Sequence, residues 1–209
     1  MFRNGWIEST QGIRLAAFNS NSTSRRDPEG GHMLADKLIA ATEEALREVT
    51  EARFFRSERG FQGQFLSALQ RSLSRRGLLR DGCILEMEYQ KSGRHGMRQR
   101  PDIILHIPAE ISGGKVTENN FALWALKRRA TQTKAREDFC KLDMMFDKLC
   151  YPLGFFINID AKDHLAASYG GKFPERLRTV AVWLDGTIKT SLGSRSCSAA
   201  TRHLPKAGR

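Results

Sequence analysis

No two cysteines stand close enough to make a CxxC pair; Cys83, Cys140, Cys150 and Cys197 are scattered singly along the chain. That spacing excludes a thiolate zinc motif and a disulfide framework, and it reads as the reduced thiols of a cytoplasmic protein. Long apolar runs are also missing: none approaches the roughly 18 to 20 residues that a membrane span requires. The opening residues lack a charged stretch followed by an apolar one, so no secretory signal is expected. No internal repeat is visible. Acid is the scarcer charge, with 23 Asp plus Glu against 34 Lys plus Arg, a formal net charge of +11 over 209 residues. A hydrophobic fraction of 40% and a charged fraction of 27% are those of a globular protein, and the length suits one domain.

What is present is unevenly placed. The positive excess lies in three stretches, 71–100, 127–136 and 186–209, each carrying +5. Basic residues gathered in this way suggest a polyanion partner, because neutralised phosphates release counterions and so drive binding. No membrane partner is expected.

Residues 1–32, rich in Ser, Asn, Gly and Arg, read as a flexible N-terminal segment, and Gly31-His32-Met33 is a junction that a tag scar and native sequence explain equally well. Residues 33–185 read as the folded domain. From Leu34 the apolar spacing is helical, through Leu38, Leu46 and Val49. A second helix is expected after Ser57, with Phe61, Phe65, Leu69 and Leu73 on one face. Strands are expected at 83–90, 101–107 and 121–127, a helix at 131–150 with Ala135, Phe139, Leu142, Phe146 and Leu149 inward, and strands at 153–159 and 179–184. Residues 186–209 are small, polar and basic, and read as a disordered tail. The expected fold class is α/β, a central sheet with helices.

Alternation puts Asp102, Ile104 and His106 on one face of their strand, and Phe121, Leu123, Ala125 and Lys127 on one face of the next. A lysine closing an apolar strand needs water or a charge partner, and a carboxylate at the neighbouring strand end is one. A divalent metal held by Asp102, with Lys127 beside it, would suit phosphodiester hydrolysis.

Arg100-Pro101-Asp102-Ile103-Ile104-Leu105, followed by Phe121-Ala122-Leu123-Trp124-Ala125-Leu126-Lys127, resembles the PD-(D/E)xK nuclease superfamily over roughly residues 57–160. The resemblance implies a restriction-endonuclease-like fold, with a mixed central sheet flanked by helices, and a nuclease using Mg²⁺ or Mn²⁺. It implies Asp102 and Lys127 as catalytic residues, Glu58 on the upstream helix as a further catalytic carboxylate, and Asp102 and Glu58 as metal ligands. It implies settings of restriction, repair or anti-phage defence, a substrate of nucleic acid, DNA first, and targeting through a partner subunit or a homodimer.

The pattern departs at one position. Its second acid should stand at 125, where the chain has Ala125. Three explanations are open: an inactivating substitution, a naturally degenerate site on a nucleic-acid-binding or scaffold protein, or migration of the carboxylate to Glu86, Glu88 or Glu58. The first is favoured, because every other element of the pattern is intact. The expectation is an inactivated nuclease that cleaves little or nothing until Ala125→Glu restores the acid.

Among the remaining polar residues, Arg128, Arg129, Lys134 and Arg136 are candidates for phosphate contacts, with Lys91, Arg94, Arg98 and Arg100 as a second patch. His106 reads more readily as structural than as a site residue. Glu58 follows a candidate N-cap, Ser57, where an acid favours the helix dipole regardless of chemistry. Gln132 lies where a phosphate contact and helix capping by Thr131 or Thr133 explain the polarity equally well.

Overall fold

Two amphipathic helices open the fold. Helix α1 (Pro28–Glu48) buries Leu38, Ala41, Ala45 and Leu46, and α2 (Glu58–Arg75) buries Phe61, Phe65, Leu69 and Leu73. The computed structural model describes residues 28–87, 101–184 and 188–191. Helix α1 starts inside the stretch expected to be flexible. Proline suits the first helical position, because its fixed φ matches the helix and its missing N–H would have no partner there. The helix runs on through the Gly31-His32-Met33 junction. A 3₁₀ turn (Ala52–Arg56) carries the chain to Ser57, whose side chain accepts a hydrogen bond from Gly60 N–H at 3.0 Å and so caps α2.

The strands are β1 (Ile84–Met87), β2 (Ile103–His106), β3 (Asn120–Arg128), β4 (Gly154–Ile159), β5 (Leu177–Val182) and β6 (Ile188–Ser191). Between β2 and β3 lies a one-turn helix, α3 (Ala109–Ser112), and between β3 and β4 the long helix α4 (Gln132–Leu149). The described strands form one six-stranded sheet in chain order. β1, β2 and β3 are antiparallel neighbours, β3, β4 and β5 run parallel, and β6 is antiparallel to β5. The α/β class with a mixed sheet flanked by helices is therefore present.

Each face of the sheet has its own core. Ile103, Leu105, Ala122, Trp124, Leu126, Phe155 and Ile157 pack against α1 and α2. Ile104, Leu123 and Phe156 face α4, which contributes Ala135, Phe139, Leu142, Met145, Phe146 and Leu149. α4 sits close to the sheet: β4 opens on Gly154, where a Cβ would come within 2.5 Å of the Phe146 ring.

Two strand expectations need correcting. Phe121 was expected on the face of Leu123 and Ala125, but it packs with the α1–α2 core. The reason is a bulge: Leu105 pairs with Ala122 while His106 pairs with Asn120, so Phe121 is the extra residue and alternation breaks there. β6 lies within the stretch expected to be a disordered tail; its order comes from pairing along β5, from Val182↔Ile188 to Thr179↔Ser191. Residues 88–90 of the first expected strand lie outside the described residues. Among the described residues no helix is long and apolar enough to cross a membrane.

Candidate active site

Asp102 stands just before β2, between the buried Pro101 and Ile103. The antiparallel register pairs Ile103 with Trp124, and one further step sets Asp102 across from Ala125. Two contacts fix it. Leu126 N–H donates to Asp102 Oδ2 at 2.6 Å, and Gln62 Nε2, from buried Gln62 on α2, donates to the Asp102 carbonyl at 3.0 Å. Lys127 follows on the face that Ala125 shares, and its Nζ lies 3.4 Å from Glu58 Oε1. The other Glu58 oxygen accepts Arg128 N–H at 3.2 Å. Glu58 thus ties the α2 N-terminus to the end of β3, beyond its favourable place at the helix dipole.

These groups open on one cavity of about 90 Å³ between the sheet and α4. Asp102, Ala125, Leu126 and Lys127 line it from the sheet, and Asp138, Lys141, Leu142 and Met145 from α4. That is room for several ordered waters or a hydrated ion. Asp138 is only 8% exposed, and Lys141 Nζ donates to its Oδ1 at 2.6 Å.

The electrostatics follow from this crowding. Burial pushes the Asp102 carboxyl up to about 6; the Leu126 N–H opposes the shift, Glu58 adds to it, Lys127 opposes it and Asp138 adds to it. For Lys127, burial acts to lower the pKa, but Glu58, Asp138 and Asp102 together outweigh it and hold the ammonium above its ordinary value. The cavity thus sets two carboxylates, Asp102 and Asp138, against two ammonium groups, Lys127 and Lys141.

Hard oxygen donors of this kind fit Mg²⁺ or Mn²⁺, which take one or two carboxylates and fill their remaining positions with water and substrate phosphate. Among the described residues no three His, Cys, Asp or Glu side chains form a ready-made metal-binding group. Ala125 contributes only a methyl group.

The other expected site residues are distributed differently. Glu86, on the Asp102 face of β1, sits 3.3 Å from His106 Nε2 at the outer strands, and neither residue lines the cavity. Glu86 is therefore not among the residues beside Ala125, whereas Glu58 reaches the site through Lys127. Arg128 is drawn into the fold, donating to the Phe55 carbonyl at 2.7 Å and to Asp160 at 3.0 Å. Arg129 pairs with Asp160 at 2.7 Å and stays exposed, Lys134 pairs with Glu137 at 3.1 Å, and Arg136 is exposed on α4. Thr131 caps α4 by accepting Lys134 N–H at 3.3 Å, while Gln132 is exposed. Glu88, Lys91, Arg94, Arg98 and Arg100 lie outside the described residues.

Three residues of the site were not anticipated: Gln62, Asp138 and Lys141. Asp138 had a legible signal, an acid three residues after Ala135 and four before Leu142, inside the apolar stripe of its helix. Gln62 had a weaker one, four residues after Glu58 and so on its face of α2.

No family model, no curated protein and no solved structure matches the chain.

Proposed function

We propose that the chain is a metal-dependent nuclease of the PD-(D/E)xK kind, acting on DNA. One observation carries the reading: Asp102 and Lys127, contributed by the entrance to β2 and by β3, line a single cavity together with a second aspartate, Asp138. A divalent cation held among these oxygens would polarise a phosphodiester and lower the pKa of a water. The chain's own groups do the rest. Leu126 N–H and Gln62 hold Asp102 from two sides, so its carboxylate is presented without rearrangement. Lys127 keeps its proton on Nζ and offers positive charge to a phosphate oxygen or to the attacking water, with Glu58 setting its direction. Exposed Arg129, Lys134 and Arg136 lie on the following turn and the start of α4, where they suit contacts to phosphates further along the strand.

A second reading rests on Ala125. With no acid at that position, a protein of this fold that binds nucleic acid without cutting it is the alternative. Plasmid and single-stranded DNA incubated with Mg²⁺ or Mn²⁺ separate the two, using this chain and its Ala125→Glu variant. Metal-dependent cleavage by either protein, lost on adding EDTA, supports the nuclease. DNA binding with no cleavage by both folded proteins supports the binding module and overturns the nuclease.

A further inference from the structure

The sequence pattern leaves the metal site one carboxylate short at Ala125, and the fold brings another to the same cavity from the opposite wall. We infer that Asp138 of α4 is the second metal-binding carboxylate of this chain, so that the site is competent as it stands. The inference rests on the nuclease reading, and it replaces the expectation that Ala125 silences the site.

Four observations converge. First, Asp138 and Ala125 line one cavity with Asp102, Lys127 and Lys141, so an oxygen from α4 reaches the space that a longer side chain at 125 would enter. Second, Asp138 occupies the inward stripe of α4, where its neighbours Ala135, Phe139, Leu142 and Met145 are all buried and apolar. A carboxylate in that stripe costs desolvation that an apolar side chain would avoid, so folding alone gives no reason for an acid there. Third, its ion-pair partner among the described residues is Lys141, whose side chain remains 47% exposed and can swing to solvent. A partner on that leash neutralises Asp138 when the cavity holds no cation and can leave when one enters. Fourth, the position is small where it must be: Ala125 is the residue across from Asp102, and its methyl leaves open the space between the two aspartates.

The donor set is then Asp102 from the β2 entrance and Asp138 from α4, with Glu58 acting through Lys127 and not on the cation. Two carboxylates with water and a phosphate oxygen are a normal complement for Mg²⁺ or Mn²⁺. Lys141, released from Asp138, becomes a second cation facing the phosphate beside Lys127.

The test is Mn²⁺ binding to the folded, full chain, by calorimetry and by loss of the free-ion electron paramagnetic resonance signal, with plasmid cleavage run in parallel. Asp138→Asn keeps the shape of the side chain and removes its charge. The expected result is a drop in Mn²⁺ affinity of at least about tenfold, with circular dichroism unchanged. In the double variant Ala125→Glu plus Asp138→Asn, affinity should return to within a few-fold of the parent chain, because either carboxylate completes the same site. Unchanged Mn²⁺ affinity in Asp138→Asn overturns the inference. So does a parent chain that binds no Mn²⁺ while Ala125→Glu binds it and cuts DNA; that outcome leaves the nuclease reading standing. If no variant binds Mn²⁺ or cuts DNA, the nuclease reading fails and takes this inference with it.

Discussion

The two faces of the sheet are covered by helices of the same amphipathic kind, yet they spend their buried surface differently. Against α1 and α2 the core is apolar throughout, from Phe61, Phe65 and Leu69 to Trp124 and Phe155. Its few polar groups are satisfied: Trp124 Nε1 donates to Thr42 Oγ1 at 3.1 Å, and the Thr42 hydroxyl donates to the Leu38 carbonyl at 2.9 Å. Charge on this side stays at the rim, where Glu44 and Glu48 of α1 pair with Arg71, Arg75 and Arg76 at the end of α2. Against α4 the core is interrupted. Asp102, Lys127, Asp138 and Lys141 line a cavity there. Both sides have the periodicity to fold. One side is built for stability, and the other gives some of it up to hold charge away from water.

The largest effect should come from emptying the apolar face. Trp124 is fully buried, stacks on Phe155 at 5.4 Å between ring centroids, and holds Thr42 through its indole. Trp124→Ala should cost about 3 to 5 kcal/mol in urea unfolding. A loss under about 1 kcal/mol would mean that this face is not the stabilising one.

Next in size is the opposite sign on the other face. Asp102 is raised to about 6 in the fold, chiefly by burial. A carboxyl whose pKa is higher folded than unfolded binds protons preferentially in the native state, so stability falls as pH rises from about 4 to about 6 and stays lower above that window. Asp102→Asn retains an acceptor for Leu126 N–H and removes the charge. In EDTA at pH 8 the variant should be more stable than the parent by about 2 to 3 kcal/mol, with the difference gone near pH 4. Equal stabilities at pH 8 would show that the cavity does not strain this carboxylate.

The smallest effect belongs to the rim. Glu44 accepts hydrogen bonds from Ser72, Arg75 and Arg76, which hold its pKa down at about 2. Here the sign reverses: the stabilisation is present above the ordinary glutamate range and is lost as pH falls toward 2. The Glu44 side chain is 35% exposed and its arginine partners more so, so solvent screens the network. Glu44→Gln should lower the melting temperature only slightly at pH 7, and the deficit should shrink in about 1 M salt and in strong acid. A deficit as large as that of Trp124→Ala would reverse the ranking of the two regions.

The sequence made the helical faces legible because their spacing repeats: Phe61, Phe65, Leu69 and Leu73 step along α2, and Ala135 through Leu149 along α4. Asp102 and Lys127 were legible for a different reason, as polar residues at the ends of apolar strands. What escaped depended on contacts distant in sequence. The bulge at Phe121 is set by how β3 meets β2, and β6 is a strand only because β5 lies beside it. The ties of Arg128, a candidate phosphate contact, to Phe55 and Asp160 are likewise set by residues far away in the chain. Asp138 was visible as an acid in an apolar stripe, but its meaning came only when α4 was laid over Ala125. Local periodicity identifies an element; which residues it brings together is decided by the partner it packs on.

On the proposed function, the cavity between the sheet and α4 is a divalent-metal site for phosphodiester cleavage, centred on Asp102. The most direct measurement is cleavage of plasmid DNA in Mn²⁺ by the parent chain and by Asp102→Asn, at equal concentration and with folding confirmed for both. The account predicts nicking or linearisation by the parent that stops with EDTA, and a rate at least about a hundredfold lower in the variant. Equal rates in the two proteins, or no cleavage under any divalent cation by either the parent or its Ala125→Glu variant, would contradict it.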